Sequence, residues 1–185
     1  MNGATAAPSS TRASRATVGV YLRPGEYFVG DATHRIRTVL GSCVSVTLWS
    51  PQRCVGAMSH FVLASRGIVS SKAPVGRPGL DAKYGDEALE LMLHELARLK
   101  VDAAECQAKI FGGGDMFPTQ KNDGAIAIGR RNGEAARLLL RSHGIEPISE
   151  SLFGAGHRQI VFDVGSGHVW SRQVAPHTDF AALEP

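Results

Sequence analysis

Two neighbouring apolar runs, residues 38–49 and residues 55–63, constrain the fold of this chain more than any other feature. The first run has the period of a strand with one apolar face. In it, Val44, Val46 and Leu48 alternate with Ser45, Thr47 and Trp49. Residues 50–54 separate the two runs and include Pro51, a common turn residue. The pattern therefore predicts two antiparallel strands joined as a hairpin.

The position of the turn sets which residues of the hairpin face each other. A turn centred between Pro51 and Gln52 places Cys43 opposite His60. Directly opposed residues have Cβ atoms about 4.5–5.5 Å apart, close enough for a thiol and an imidazole to share a proton. A slip of one residue would send the two side chains to opposite faces. The same register puts a mainly apolar set on the other face: Val44, Val46, Leu48, Val55, Ala57, Ser59 and Phe61.

A cysteine beside a histidine is a common nucleophile arrangement, because the thiolate attacks well and a neighbouring base raises its population. Cys43 also follows Gly41-Ser42, a flexible turn that can expose the sulfur. The backbone N–H groups of Ser42 and Cys43 are the expected oxyanion site. A cysteine entering an apolar strand is more often a small buried hydrophobe. Spacing alone therefore leaves both a catalytic and a structural interpretation open.

Further motifs accompany the hairpin along the chain. They are residues 24–27, 108–117, 128–132 and 160–164, with Gly167 after the last. Together with Thr-Val-Leu-Gly-Ser-Cys-Val-Ser-Val at residues 38–46 and Gly-Ala-Met-Ser-His-Phe-Val-Leu at residues 56–63, they resemble the bacterial chemoreceptor glutamine deamidases, the CheD family. The resemblance extends over residues 18–174.

The resemblance implies a layered α/β/β sandwich in which Cys43 is the nucleophile, His60 its base and Thr38 a third catalytic residue. It also implies the reaction, in which selected Gln side chains on the cytoplasmic helices of methyl-accepting chemotaxis receptors become Glu. This places the protein among hydrolases of carboxamide bonds, working without a metal or an organic cofactor. The implied partners are the receptors and a CheC-type phosphatase of the chemotaxis response regulator.

Two other functions stay open at this point. The chain could be a non-catalytic adaptor that binds receptors or a CheC-type phosphatase and carries a vestigial site. It could also be a cysteine peptidase or a methyl-ester hydrolase, since these share the acyl-enzyme route.

Composition narrows the class of protein. With 185 residues, 43% of them hydrophobic, the chain predicts one domain, over residues 17–175, between tails at residues 1–16 and 176–185. The formal charge of +3, without a basic run interleaved with aromatics, argues against nucleic acid as a partner. The sequence has no apolar stretch long enough to span a bilayer, so membrane insertion is not predicted. Three cysteines without a C-x-x-C pair argue against a disulfide framework and a structural zinc site, and favour the cytoplasm.

Many strand patterns and two helix patterns predict an α+β fold with antiparallel or mixed sheets, and helices on one side. The helices are predicted over residues 85–100 and 133–143, the second capped by Asn132 and ended by Gly144. His94, within the first helix, is predicted to lie at the surface. Residues 65–83, rich in Gly, Ser and Pro, are predicted to form a long loop bordering the substrate groove. Further strands are predicted over residues 18–22, 26–29, 35–39, 108–111, 125–128, 147–152, 159–164 and 168–174.

Overall fold

The computed structural model describes residues 16–66, 79–116 and 123–176, with no account of the side chains of residues 123–127. The described part of the chain contains nine strands, two α-helices and one 3₁₀ turn. In order, they are β1 Val18–Tyr21, β2 Tyr27–Asp31, β3 His34–Leu40, β4 Val44–Ser50, β5 Val55–Ser59, α1 Gly85–Arg98, the 3₁₀ turn Ala103–Glu105, β6 Gln107–Gly112, α2 Asp123–Ser142, β7 Pro147–Leu152, β8 His157–Asp163 and β9 Val169–Val174.

The strands form two mixed sheets. The outer sheet has the strand order β1-β3-β8-β9, and the central sheet has the order β2-β5-β4-β6-β7. The pairs β1/β3 and β6/β7 are parallel, and the other pairs are antiparallel. Both helices pack on the face of the central sheet that is turned away from the outer sheet. The predicted single-domain α+β fold with three layers is confirmed.

Burial along β3 and β4 reflects these layers. In β3, Ile36, Thr38 and Leu40 are buried while the residues between them are exposed, because one face of the outer sheet meets water. In β4, every residue except Trp49 is buried, because the central sheet is covered on both faces. One core lies between the central sheet and the helices, and a second lies between the sheets. The second core consists of Leu22, Ile36, Leu40, Met58, Phe111, Ile160, Phe162 and Val164.

The predicted hairpin is present, but its predicted register is wrong by two residues. Thr47 pairs with Met58 and Ser50 with Val55, so the turn is centred one residue later, between Gln52 and Arg53. Residues 51–54 form a four-residue turn that ends with Cys54 at a left-handed φ of 49°. Because the register differs by an even number of residues, the same side chains still share each face of the hairpin. The predicted apolar face is therefore retained and packs against the helices.

Helix α1 agrees with its prediction except at its C-terminal end. It ends at Arg98 rather than residue 100, since Lys100 adopts a left-handed φ of 59°. The guanidinium of Arg53 donates a 2.9 Å hydrogen bond to the carbonyl oxygen of Lys100 just beyond that end. The predicted apolar stripe is Ala88, Leu89, Met92, Leu93, Leu96 and Leu99. Of these, Leu93 is only partly buried and Leu99, beyond the end of the helix, is exposed, while the other four are buried. His94 lies at the surface as predicted.

Helix α2 contradicts two predictions. Residues 125–128 are helical rather than a strand, and Asn132 lies inside the helix instead of capping it. Short apolar alternation followed by Gly-Arg-Arg-Asn-Gly is typical of a strand and a turn, but packing overrides this preference. A Cβ atom at Gly129 would lie 2.7 Å from the carbonyl oxygen of Gly113. The helix backbone therefore approaches the end of β6 more closely than a larger residue permits.

The C-terminal end of α2 is where the sequence predicts it. Gly144 has a left-handed φ of 71°, and its N–H donates to the carbonyl oxygen of Arg141 at 2.9 Å. The N–H of Ile145 donates to the carbonyl oxygen of Leu140, also at 2.9 Å. This pair of hydrogen bonds is a Schellman motif.

Several predictions concern residues outside the described ranges. Residues 67–78, the middle of the predicted 65–83 loop, are among these, as are residues 1–15 and 177–185 in the predicted tails. None of the helices in the described ranges has the length and apolar character needed to cross a bilayer.

Candidate active site

The three residues predicted to be catalytic lie at the junction of the two sheets. Thr38 is on β3 in the outer sheet, and Cys43 ends the short turn that leads from β3 into β4 of the central sheet. His60 directly follows β5, the neighbour of β4. Because the chain changes sheets between Leu40 and Val44, the turn lies at the edge of the inter-sheet core.

Thr38 and His60 are in direct contact. The Thr38 hydroxyl oxygen lies 2.8 Å from Nδ1 of His60 and 2.7 Å from the carbonyl oxygen of Leu22. A carbonyl oxygen can only accept, so the single hydroxyl hydrogen is donated to Leu22. The remaining bond must then run from the Nδ1–H of His60 to the Thr38 oxygen. The network thus assigns the proton to Nδ1 and leaves the lone pair on Nε2.

The Nε2 atom of His60 is buried and lacks a hydrogen-bond partner within the described ranges. The residue itself is only 2% exposed. Leaving a buried polar atom unpaired costs about 1–3 kcal/mol. The side chains of Ser45, Ser50 and Arg158 each carry another such atom in the described ranges. His60 therefore presents an unengaged basic nitrogen at the edge of the inter-sheet core.

Cys43 and His60 are diagonal neighbours across the end of the hairpin. Val44 and Phe61 exchange both backbone hydrogen bonds, of 3.1 and 3.0 Å. In this register, Cys43 faces Val62, two residues beyond His60. Diagonal neighbours on one face have Cα atoms about 7–8 Å apart and Cβ atoms somewhat closer. The corrected register therefore still places the thiol and the imidazole on one face, as a diagonal pair instead of a direct one.

Burial sets the protonation of both groups. It raises the pKa of the Cys43 thiol, with a smaller opposing effect from the residue's own backbone N–H. Burial also lowers the pKa of His60, against smaller opposing effects of the Leu22 carbonyl and the Glu26 carboxylate. At neutral pH the pair is therefore a thiol beside a neutral imidazole. This arrangement suits general-base catalysis, in which the thiol loses its proton during the attack.

Hydrogen bonds donated to its carbonyl oxygens hold the turn before β4, residues 41–43, in place. The carbonyl oxygens of Gly41 and Cys43 accept 2.8 Å hydrogen bonds from the N–H groups of Gly114 and Gly113. The carbonyl oxygen of Ser42 accepts a 3.1 Å bond from the side chain of Asn132. In a trans peptide the C=O and N–H point in opposite directions. The N–H groups of Ser42 and Cys43 are therefore directed away from these supports.

Those two N–H groups are the predicted oxyanion donors. Within the described part of the chain, the Ser42 N–H has no acceptor, and the Cys43 N–H contacts only its own sulfur. Two adjacent N–H groups beside a nucleophile can stabilise a developing oxyanion. Their arrangement is compatible with the predicted role.

Sequence reasoning missed the groups that support the turn. Gly112 and Gly113 adopt left-handed φ values of 114° and 66°, and a Cβ atom at Gly112 would overlap the carbonyl oxygen of Cys43. Arg158, only 6% exposed, donates 3.1 Å bonds to the carbonyl oxygens of Gly112 and Phe153. The glycine run was the available signal, but it does not indicate which backbone lies against it.

An open concavity of about 380 Å³ lies beside the turn. Gly113, whose N–H holds the carbonyl oxygen of Cys43, contributes to its wall. The remaining wall residues are Asp115, Arg130, Phe153, Gly154 and Ala155. Cys43 and His60 are not among the residues that line it.

The other cysteines lie away from this site. Cys54 is in the β4–β5 turn, and Cys106 is buried next to the 3₁₀ turn, where burial first and then nearby acids raise its pKa to about 11. In the part of the chain that the structure describes, no cluster of three or more His, Cys, Asp or Glu side chains forms a metal site.

Comparison with known proteins identifies the family. The family profile described as CheD chemotactic sensory transduction matches residues 69–173. A protein of Albidiferax ferrireducens named "Probable chemoreceptor glutamine deamidase CheD 2" is 61% identical over 86% of this chain and 89% of its own length. Proteins with the corresponding CheD 1 and CheD 3 names from Chromobacterium violaceum and Dechloromonas aromatica are 40% and 42% identical. They align with 92% and 82% of this chain, and with 89% and 85% of their own lengths. With its profile match and these relatives, the chain belongs to the CheD family of chemotactic sensory transduction proteins.

Proposed function

We propose that this protein deamidates selected glutamine side chains of chemotaxis receptors, with Cys43 as nucleophile, His60 as general base and Thr38 as the group that orients His60. The observation that carries the proposal is the unpartnered Nε2 of His60, held in the basic tautomer by Thr38 and placed on the same face as Cys43. The names of the relatives, chemoreceptor glutamine deamidases, supply the substrate class.

The first half of the reaction forms a thioester. Nε2 of His60 takes the thiol proton as the Cys43 sulfur attacks the carboxamide carbon. The N–H groups of Ser42 and Cys43 stabilise the resulting oxyanion. The protonated imidazole then gives its proton to the amide nitrogen, the C–N bond breaks and ammonia leaves.

The second half restores the enzyme. His60 removes a proton from a water molecule, whose oxygen attacks the thioester carbon. The tetrahedral intermediate collapses, and the departing sulfur regains its proton from the imidazolium. One water is consumed, and a glutamate side chain and ammonia are the products. Every proton passes through Nε2, so the Nδ1–H bond to Thr38 persists throughout the cycle.

Mass spectrometry of receptor fragments tests the proposal. Purified cytoplasmic fragments incubated with the protein should show conversion of individual Gln residues to Glu, with release of ammonia. Cleaved fragments would indicate a peptidase, and loss of methyl groups from methylated fragments would indicate an esterase. Binding of the fragments without any chemical change would favour the adaptor.

A further inference from the structure

We propose that Asn132 is a positioning residue, which sets the separation of Cys43 and His60 by tying together the two backbone segments that carry them. Its effect on turnover rests on the proposed deamidase function. Its effect on the reactivity of Cys43 does not.

The side chain of Asn132 joins two segments that are far apart in sequence. Its Nδ2 donates to the carbonyl oxygen of Ser42 at 3.1 Å and to that of Val62 at 2.8 Å. Ser42 directly precedes Cys43, and Val62 lies two residues after His60. A carboxamide nitrogen has two hydrogens, and here each is donated to one of the segments. The residue is 1% exposed, so water does not compete for these bonds.

These bonds occur where the hairpin ladder separates. A regular ladder would make Ser42 and Leu63 the next hydrogen-bonded pair after Val44 and Phe61. Instead, the N–H of Leu63 donates to Lys83 at 3.1 Å, and its carbonyl oxygen accepts from Gly85 at 2.8 Å. Asn132 therefore supplies the bond that the Ser42 carbonyl oxygen would have received from Leu63.

Separation of the ladder has a chemical consequence. In a continued ladder, the Ser42 N–H would donate to the Leu63 carbonyl oxygen and would not be available to a substrate. With the ladder open, this N–H has no acceptor in the described ranges. Asn132 thus holds the Cys43 and His60 segments together while leaving one proposed oxyanion donor available.

Two glycines in helix α2 allow it to place the Asn132 side chain between the two segments. Gly129 lies three residues before Asn132 on the same helix face, and Gly133 lies one turn after Gly129. A Cβ atom at Gly133 would lie 2.6 Å from a ring carbon of Phe153, and one at Gly129 would lie 2.7 Å from the carbonyl oxygen of Gly113. The two glycines let the helix backbone come close enough for a short carboxamide to reach both carbonyl oxygens.

The test compares Asn132→Ala and Asn132→Asp with Leu138→Ala, a control on the exposed side of the same helix. Asp keeps the volume of Asn but loses the donors. A displacement of about 1 Å between reacting groups can cost on the order of a hundredfold in rate. We therefore expect both Asn132 variants to lower kcat for receptor fragments by about a hundredfold, with KM changed by less than about threefold. The control should match the wild type.

The second readout is the pH dependence of Cys43 alkylation by iodoacetamide, measured with Cys54 and Cys106 replaced by Ala. In the wild-type background, the rate should depend on the ionisation of His60 and level off above it. In the Asn132 variants it should follow thiol ionisation alone, at thermal unfolding temperatures that show a folded protein. Wild-type kcat together with a wild-type alkylation profile would overturn the proposal. Failure of both variants to fold beside a folded control would also overturn it, in favour of a purely structural role.

The two hypotheses can fail separately. If the wild-type protein leaves every receptor Gln unchanged, the proposed deamidase function is wrong, and the alkylation profiles still decide the role of Asn132. If the wild-type protein deamidates receptors and the Asn132 variants retain both kcat and the alkylation profile, only the positioning role is wrong.

Discussion

Thr38→Val is the sharpest test of how the histidine is oriented. Valine keeps the branched shape of threonine but removes the hydroxyl that accepts from Nδ1 of His60 and donates to the carbonyl oxygen of Leu22. In the proposed mechanism the imidazole becomes an imidazolium during turnover, and the Nδ1–H bond to Thr38 becomes charge-assisted. The lost interaction is therefore stronger in the transition state than in the resting enzyme, so it should appear in kcat.

The size of the effect follows from the strength of that bond. A hydrogen bond to a charged group contributes about 1.5–3 kcal/mol. Since about 1.4 kcal/mol corresponds to a tenfold change in rate, kcat should fall about 10- to 150-fold. Initial rates of ammonia release from receptor fragments measure this loss. Thr38→Ser keeps the hydroxyl and should retain most of the activity.

Two results would refute the reasoning. Wild-type kcat in Thr38→Val would mean that another group holds the imidazole, and the Leu22 carbonyl oxygen beside it is the available candidate. A loss in Thr38→Ser as large as in Thr38→Val would mean that the β-methyl group, and not the hydroxyl, supports the site. Thermal unfolding of both variants separates these effects from loss of the folded state.

Three further predictions follow from the site. Cys43→Ala should abolish deamidation in mass spectra of receptor fragments while the Cys54→Ala, Cys106→Ala double variant stays active, and the reverse result would contradict the nucleophile assignment. Because the pKa of His60 is lowered from 6.5, kcat/KM should be constant between about pH 8 and pH 6.5 and should fall as the pH drops through the lowered value. The stability that the neutral imidazole contributes should fall in the same way. A decline in kcat/KM that begins above pH 7 would contradict this assignment. Gly112→Ala should lower the free energy of unfolding, measured by urea titration, by about 1–3 kcal/mol or more. The alanine would be strained at this left-handed φ, and its Cβ would overlap the Cys43 carbonyl oxygen. Unchanged stability would argue against that close approach.

The neutral state of the Cys43–His60 pair has a consequence for reactivity. A stored thiolate reacts with many electrophiles, whereas a neutral thiol needs its base to act during the attack. The neutral pair is therefore expected to react more slowly with electrophiles than a stored thiolate would.

Local patterns in the sequence determined several features of the fold. The hairpin and the apolar face of β4 follow from a period of two, and helix α1 follows from a period near four with acids at its start. These signals survive because each element meets the core with one face, whatever lies beyond it. The motifs also nominated Cys43, His60 and Thr38, and the tertiary structure brings Thr38 and His60 into contact. Their catalytic roles stay predictions.

Only the tertiary structure decided the features that depend on contacts between distant segments. The two-residue change in register arises from a four-residue turn. The alternation of apolar and polar residues looks the same in both registers, so it cannot distinguish them. Residues 125–128 joined a helix because Gly129 and Gly133 allow that helix to pack against β6 and Phe153, an interaction absent from any local window. For the same reason, Asn132 resembled a helix cap in sequence. It became a link between the Cys43 and His60 segments only when folding brought three parts of the chain to one point.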